Sequence, residues 1–198
     1  MEDSREFVFV GDSLALDLIN TELIKRGSRC DLLESPADVA DWWEQARQRH
    51  PASTHTVSLA GADAWLLADI VALRSSLRRI CDQLVSGQAA ATADLDVINH
   101  LLAAGRHVLA PDPAGQISAS YAVEGGQRTS LLFDLALAAL ELLTVFEPER
   151  LHRCNNERCI LYFYDTTKSA TRRWCSTACM NRARSHQHYL ERKRQGGA

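Results

Sequence analysis

The 198-residue sequence contains no apolar stretch long enough to cross a bilayer. Its longest, LLFDLALAALELLTVF (Leu131 to Phe146), falls short of the roughly 20 residues a spanning helix needs and carries Asp134 and Glu141. It reads as a buried core helix, and no membrane partner is expected. The acidic opening, MEDSREFVFVGD, lacks the positive flank, apolar stretch and small-residue cleavage site of a secretory signal. The chain is therefore expected in the cytoplasm, where thiols stay reduced. Internal repeats, low-complexity tracts and long flexible linkers are absent too. One further scarcity is local. Residues 150–198 hold 3 Asp/Glu against 11 Lys/Arg, whereas residues 1–149 hold 22 against 11, net charges of +8 and −11 within a total of −3. A basic segment on an acidic body points to a polyanion as the tail's partner and to a body that resists non-specific adhesion; a solvated charged terminus is the plainer explanation.

What is present builds a core. With 46% hydrophobic residues, the chain suffices for one ordinary domain plus a small module. EFVFVG (Glu6 to Gly11) reads as a short strand, and the apolar residues of LALDLINTEL (Leu14 to Leu23) suit either a helix or a strand, with a helix favoured. Ser35-Pro36-Ala37-Asp38 combines an N-cap, a proline in the first turn and an acid at the capping-box position, opening a helix through Trp42 and Trp43 that stops before Pro51. Leu66, Ile70, Leu73, Leu77, Ile80 and Leu84 recur in steps of four and three, one stripe of a helix from about Ala62 to Ser86. Thr92 is expected to cap a further helix ending at Gly105 in a left-handed position. PDPAGQ is a turn, ISASYAV (Ile117 to Val123) a half-buried strand, and EGGQ a turn before the 131–146 helix. The boundary falls at Pro148 to Leu151, dividing the chain into 1–149 and 150–198. The fold class is mainly α with a few short β-strands (α+β): a helical N-terminal domain and, around the close pairs Cys154/Cys159 and Cys175/Cys179, a small C-terminal treble-clef-like zinc finger.

That finger is read from cysteine spacing. Cys154 and Cys159 enclose four residues, Cys175 and Cys179 three, and fifteen separate the pairs. Two close pairs with such a spacer suit one tetrahedral ion, so structural Zn2+ is the expected cofactor and these four its ligands. The spacer ILYFYDTTKSATRRW supplies a strand (Leu161 to Tyr164), a turn and a return strand ending at Trp174. Cys175 and Cys179 are expected to share a face of a helix running to Gln195. A disulfide is the weaker alternative in a reducing compartment, and a catalytic thiol weaker still. Cys30 and Cys81 stand alone, Cys81 near the Leu77 and Ile80 stripe as a core residue; His186 and His188 are tail residues.

These residues resemble a known family. LHRCNNERC, YFYDTT, RRWCS and Cys179-Met180-Asn181-Arg182, spanning roughly 150 to 194, are similar to the CGNR-type zinc finger, named for a Cys-Gly-Asn-Arg motif. FVGDSLALDLINT and the helical remainder resemble ABATE, the domain that precedes this finger in bacterial stress-induced transcription regulators. Met180 replaces the motif glycine, and the second pair encloses three residues where many relatives have four; neither change removes a ligand. The resemblance implies a zinc-dependent DNA-binding transcription regulator.

On a helix from Ala178 to Arg194, Arg182, Arg184, His188, Arg192, Lys193 and Arg194 form a basic surface for duplex DNA, with Arg172 and Arg173 added from the hairpin side, while Ala183, His186, Tyr189 and Leu190 turn inward. Asn181, Arg182 and Arg184 are the candidates for base edges; alternatively Asn181 and Arg182 buttress the zinc site. One finger rarely gives strong specificity, so a homodimer through the acidic body is a further expectation, with the Leu66 to Leu84 stripe as a surface if core packing does not consume it. Asp17, Asn20 and Thr21 are candidates to line a pocket for a small-molecule effector, or else hydrogen-bond inside the core. The competing reading is a zinc ribbon that binds RNA or protein, with Tyr162, Phe163 and Tyr164 stacking bases. An enzyme is not expected, because four cysteines leave a zinc ion no open position.

Overall fold

The computed structural model describes residues 6–51 and 62–195. Its spine is α3 (Ala64–Val85), started by the Asp63 carboxylate accepting from the Leu66 amide at 2.8 Å. The stripe expected on this helix is real: Leu66, Ile70, Leu73, Leu77 and Ile80 are buried and Leu84 packs beside them, all within the protein's own core. The stripe is consequently occupied inside one copy of the chain. Around it pack α1 (Leu14–Ile19), α2 (Pro36–Arg49), α4 (Thr92–Leu102) and α5 (Gln127–Thr144). The α2 capping box forms as the sequence predicts, Ser35 Oγ accepting from the Asp38 amide and Asp38 accepting from the Ser35 amide, and Trp42 and Trp43 are buried behind it. Buried Cys81 is in this core, its thiol pushed up to about 12, first by burial.

Several expected elements differ. The helix expected over Leu14 to Leu23 stops at Ile19, and β1 (Glu22–Lys25) pairs antiparallel with β2 (Ser28–Asp31). Arg26 and Gly27, both at positive φ (54° and 87°), close this hairpin with the two-residue turn that matches strand twist. Glu6 to Gly11 alternates like a strand but joins no ladder. Phe7 and Phe9 face the body core, Val8 and Val10 face the cysteine cluster, and Gly11 O accepts one hydrogen bond from the Tyr164 amide. Thr92 is the first residue of α4, and Ala91 occupies the N-cap without a side-chain bond. Gly105 is not a left-handed cap: it opens β3 (Gly105–Pro111), which pairs antiparallel with β4 (Ile117–Val123), a partner strand the alternation of ISASYAV alone does not reveal. Glycine is required there because an added Cβ would lie 2.2 Å from the Phe133 ring. Helix α5 begins four residues before Leu131, at Gln127, and is buried over Leu131 to Ala136. A short 3-10 turn at Pro148–Arg150 leads into the hairpin of β5 (Leu151–Arg153) and β6 (Tyr162–Tyr164), and α6 (Thr177–Gln195) closes the chain. Among the described residues no helix is long and apolar enough to cross a membrane.

Candidate metal centre and basic helix

Local hydrogen bonding turns the first cysteine pair inward. Cys154 and Cys159 lie in the loop that joins β5 to β6, where the Cys154 amide donates to Leu161 O at 2.9 Å and the Cys159 amide to Asn156 O at 2.8 Å. The hairpin therefore encloses the first pair, whereas the spacer was expected to form it with a return strand. No return strand forms, because the Asp165 carboxylate binds the Thr167 amide, the Thr167 hydroxyl and the Arg172 amide and folds residues 165–172 into a compact turn. Burial opposes ionisation of Asp165, but those hydrogen bonds prevail and hold its carboxyl below the ordinary range. Cys175 precedes α6 and Cys179 sits in its first turn, so the second pair does not share a helical face. Ser176 caps the helix, its hydroxyl accepting from the Cys179 amide at 3.2 Å.

The four sulfurs lie within 4.8 Å of one another, and all four residues are buried. Four thiolates about 2.3 Å from a tetrahedral zinc ion are spaced by about 3.8 Å, and Cys159 and Cys175 Sγ stand at 3.8 Å. Without a cation the cluster cannot be fully ionised: hydrogen bonds from Cys159 and Cys175 push the Cys154 thiol down, while those same bonds push Cys159 and Cys175 up. A divalent cation relieves that conflict by displacing the retained protons. The residues fit zinc, and Cys154, Cys159, Cys175 and Cys179 are the ones that would hold it.

Comparison with known proteins agrees with this geometry. The ABATE family, described as "Putative stress-induced transcription regulator", matches residues 12–145, and the CGNR zinc finger matches residues 150–193. The chain belongs to the ABATE family. A search among curated proteins gives no significant match.

Within the CGNR finger a second layer of contacts fixes the thiols. Arg182 donates to Cys179 Sγ at 3.2 Å, a bond that also raises its own pKa, and buried Asn156 donates to Cys179 O at 3.1 Å. Of the two residues expected to buttress the centre, Arg182 does so; Asn181 is exposed on α6, and Asn156 takes that task. Arg172, expected at a DNA face, is committed to internal contacts: it donates to Trp174 O and Cys175 O in the finger and to Asp12 of the body, and lies over the Phe163 ring at 4.5 Å. Arg173 is exposed and lies over the Trp174 ring. Arg184, His188, Arg192 and Lys193 are exposed on α6, while the Arg194 side chain falls outside the described residues. Tyr189 and Leu190, expected to turn inward, are 62% and 39% exposed, because α6 extends beyond the surface that covers Ala183 and His186. Tyr162 and Phe163 are wholly buried, which removes them as a base-stacking platform.

The ABATE body grips the finger through residues whose partners lie far along the chain. Asn20, 0% exposed, donates to Tyr162 O at 2.8 Å and accepts from the Tyr162 amide at 2.9 Å. Arg78, its pKa lowered chiefly by burial, joins three segments by donating to Ile19 O and Ile160 O and pairing with Glu22 at 2.9 Å. The Tyr162 hydroxyl meets the Asp82 carboxylate, and burial followed by that contact pushes the phenol up. Asp17 is buried too, accepting from the Gly11 amide at 2.9 Å and meeting His50 Nε2 at 2.8 Å. Thr21 donates to Leu18 O and accepts from Arg74, whose guanidinium forms a two-point pair with Asp31. Asp17, Asn20 and Thr21 thus have internal partners and hold the first helix and the finger in place, where an effector pocket was one expectation.

Proposed function

We propose that this protein is a zinc-dependent transcription regulator that contacts duplex DNA through α6, with zinc serving a structural role. The observation that carries the reading is that two of the four clustered cysteines, Cys175 and Cys179, lie just before and in the first turn of α6, so the centre anchors a helix whose Asn181, Arg184, His188, Arg192 and Lys193 are exposed. Zinc bound there supplies folding free energy, on the order of 10 kcal/mol, to a segment too small to bury a core of its own. Four thiolates complete a tetrahedral shell and leave no position for a substrate or an activated water, so the reading includes no catalysis. Arg184, Arg192 and Lys193 bind phosphates; Asn181 and Arg184 are placed to meet base edges if the helix enters a major groove. Burial of Tyr162 and Phe163 favours duplex over single-stranded partners.

The test is binding of zinc-loaded and chelated protein to random-sequence duplex DNA across a salt series, with single-stranded RNA as competitor. The expected outcome is metal-dependent duplex binding whose log–log salt slope is about −0.9 per phosphate bound. Zinc-loaded protein that binds no duplex refutes the reading, and preferential capture of the RNA replaces it with an RNA-binding module.

A further inference from the structure

The −11 body is not uniformly acidic where it meets the finger. Lys25, Arg26 and Arg29 fall within five consecutive residues, IKRGSR reading from Ile24, with no acid between them. All three are exposed at the tip of the β1–β2 hairpin. Among the described residues Lys25 and Arg26 have no ion-pair partner, and Arg29 has only a 3.8 Å approach to Glu22, which pairs at 2.9 Å with Arg78. Three cations gathered about a two-residue turn, with only one carboxylate shared among them, repel one another unless an anion meets them.

The hairpin tip borders a groove of about 560 Å³ whose far walls are the zinc knuckle and α6. Arg26 enters it from the hairpin, Arg158 from the knuckle, and Asn181, Arg182 and His186 from the helix; Glu157 is the one carboxylate in the lining. The tip is also held in register with the finger. Leu23 on β1 packs against both the body core and the cysteine cluster, and Arg78 binds Glu22 and Ile160 O together. Both walls of the groove therefore present positive charge at a fixed relative position, without rearrangement on binding.

We infer that the β1–β2 hairpin of the ABATE body is part of the DNA interface, Arg26 binding the phosphate backbone that passes between the hairpin and α6 and the exposed Lys25 beside it adding a contact at the groove's edge. The inference rests on the duplex-binding reading above and extends it from the finger to the body. It also gives the short join between the two segments a purpose, since binding through both requires a constant spacing between them.

The experiment uses the full-length zinc-loaded protein and random duplex DNA, with anisotropy recorded across a salt series. The variants are K25Q/R26N, R158Q, R184Q/R192Q and, as a charge control on the β3–β4 hairpin, R106Q. Asparagine is chosen at Arg26 because it tolerates positive φ. The expected result is a slope shallower by about 0.9 for each phosphate that the variant no longer binds, so about 1.8 for K25Q/R26N, with zinc content unchanged and R106Q like the wild type. If K25Q/R26N keeps the wild-type slope and affinity while R184Q/R192Q flattens the slope, DNA engages the finger without the hairpin and the inference is overturned. Should the double variant lose zinc, the single variants K25Q and R26N decide, each expected to flatten the slope by about 0.9. Failure of the wild type to bind duplex at all refutes the proposed function, and the hairpin's role with it.

Discussion

Replacing Asn20 by alanine removes one side chain but unpairs two backbone groups on another part of the chain. The Tyr162 amide and carbonyl both bond to Asn20, at 2.9 and 2.8 Å, and Tyr162 is 0% exposed, so no water replaces the missing partner. A buried polar group left unsatisfied costs about 1–3 kcal/mol, giving roughly 2–6 kcal/mol for the pair. For a chain of this length that is a fall of about 4–24 °C in midpoint. Asn20→Asp is at least as harmful: it keeps the acceptor for the amide but sets a carboxylate oxygen against the Tyr162 carbonyl. Because β6 begins three residues after Cys159, loss of the clamp also loosens the knuckle, and zinc release to a chromophoric chelator becomes faster. Thermal melts followed by far-UV circular dichroism, with zinc release timed on the same samples, provide the check. An N20A protein with the wild-type midpoint and release rate would refute the clamp as a determinant of stability.

Arg182→Ala removes the donor to Cys179 Sγ, and zinc affinity is expected to fall about 10–100-fold while the body's helical signal is retained; competition titration with a chelator measures it. Gly105→Ala drives a methyl into the Phe133 ring and should destabilise by about 1–3 kcal/mol, with part of the loss recovered in G105A/F133L; unchanged urea unfolding of G105A alone would contradict the close packing. Arg79 donates to Asp94 at 2.9 and 2.5 Å and, against the opposing effect of burial, holds that carboxyl below its ordinary range. A depressed folded-state pKa means a contribution fully present above the unfolded value, about 3.9, and lost as pH falls through the lower folded value. Wild type and D94N should therefore differ in stability above about pH 4 and converge at more acidic pH, as denaturant midpoints across pH would show.

Much of the organisation was legible along the chain because it is encoded locally. A capping box is four adjacent residues, the α3 stripe is a 3.6-residue period, and paired cysteines with a fifteen-residue spacer leave few uses for their thiols. The charge asymmetry was legible as well, being a matter of counting. What only the tertiary structure decided are the long-range pairings. Asn20 reaches Tyr162 across 142 positions, Arg78 reaches Ile160 across 82, and neither residue type announces such a partner. Asp17, Asn20 and Thr21 look like pocket residues until the fold surrounds them, and Gly105 looks like a helix stop until Phe133 is brought against it. Arg172, read as DNA-facing from its charge, is drawn into the finger by carbonyls that only the Asp165 turn sets within reach. The basic hairpin shows the same division: the charge of IKRGSR is written in the sequence, but only the pairing of β1 with β2 makes it a turn, and only the packing of β1 on both the body core and the cysteine cluster places that charge beside α6. Periodicity and capping act over a few residues and survive in the bare sequence, whereas a buried hydrogen bond depends on which distant groups are excluded from water together.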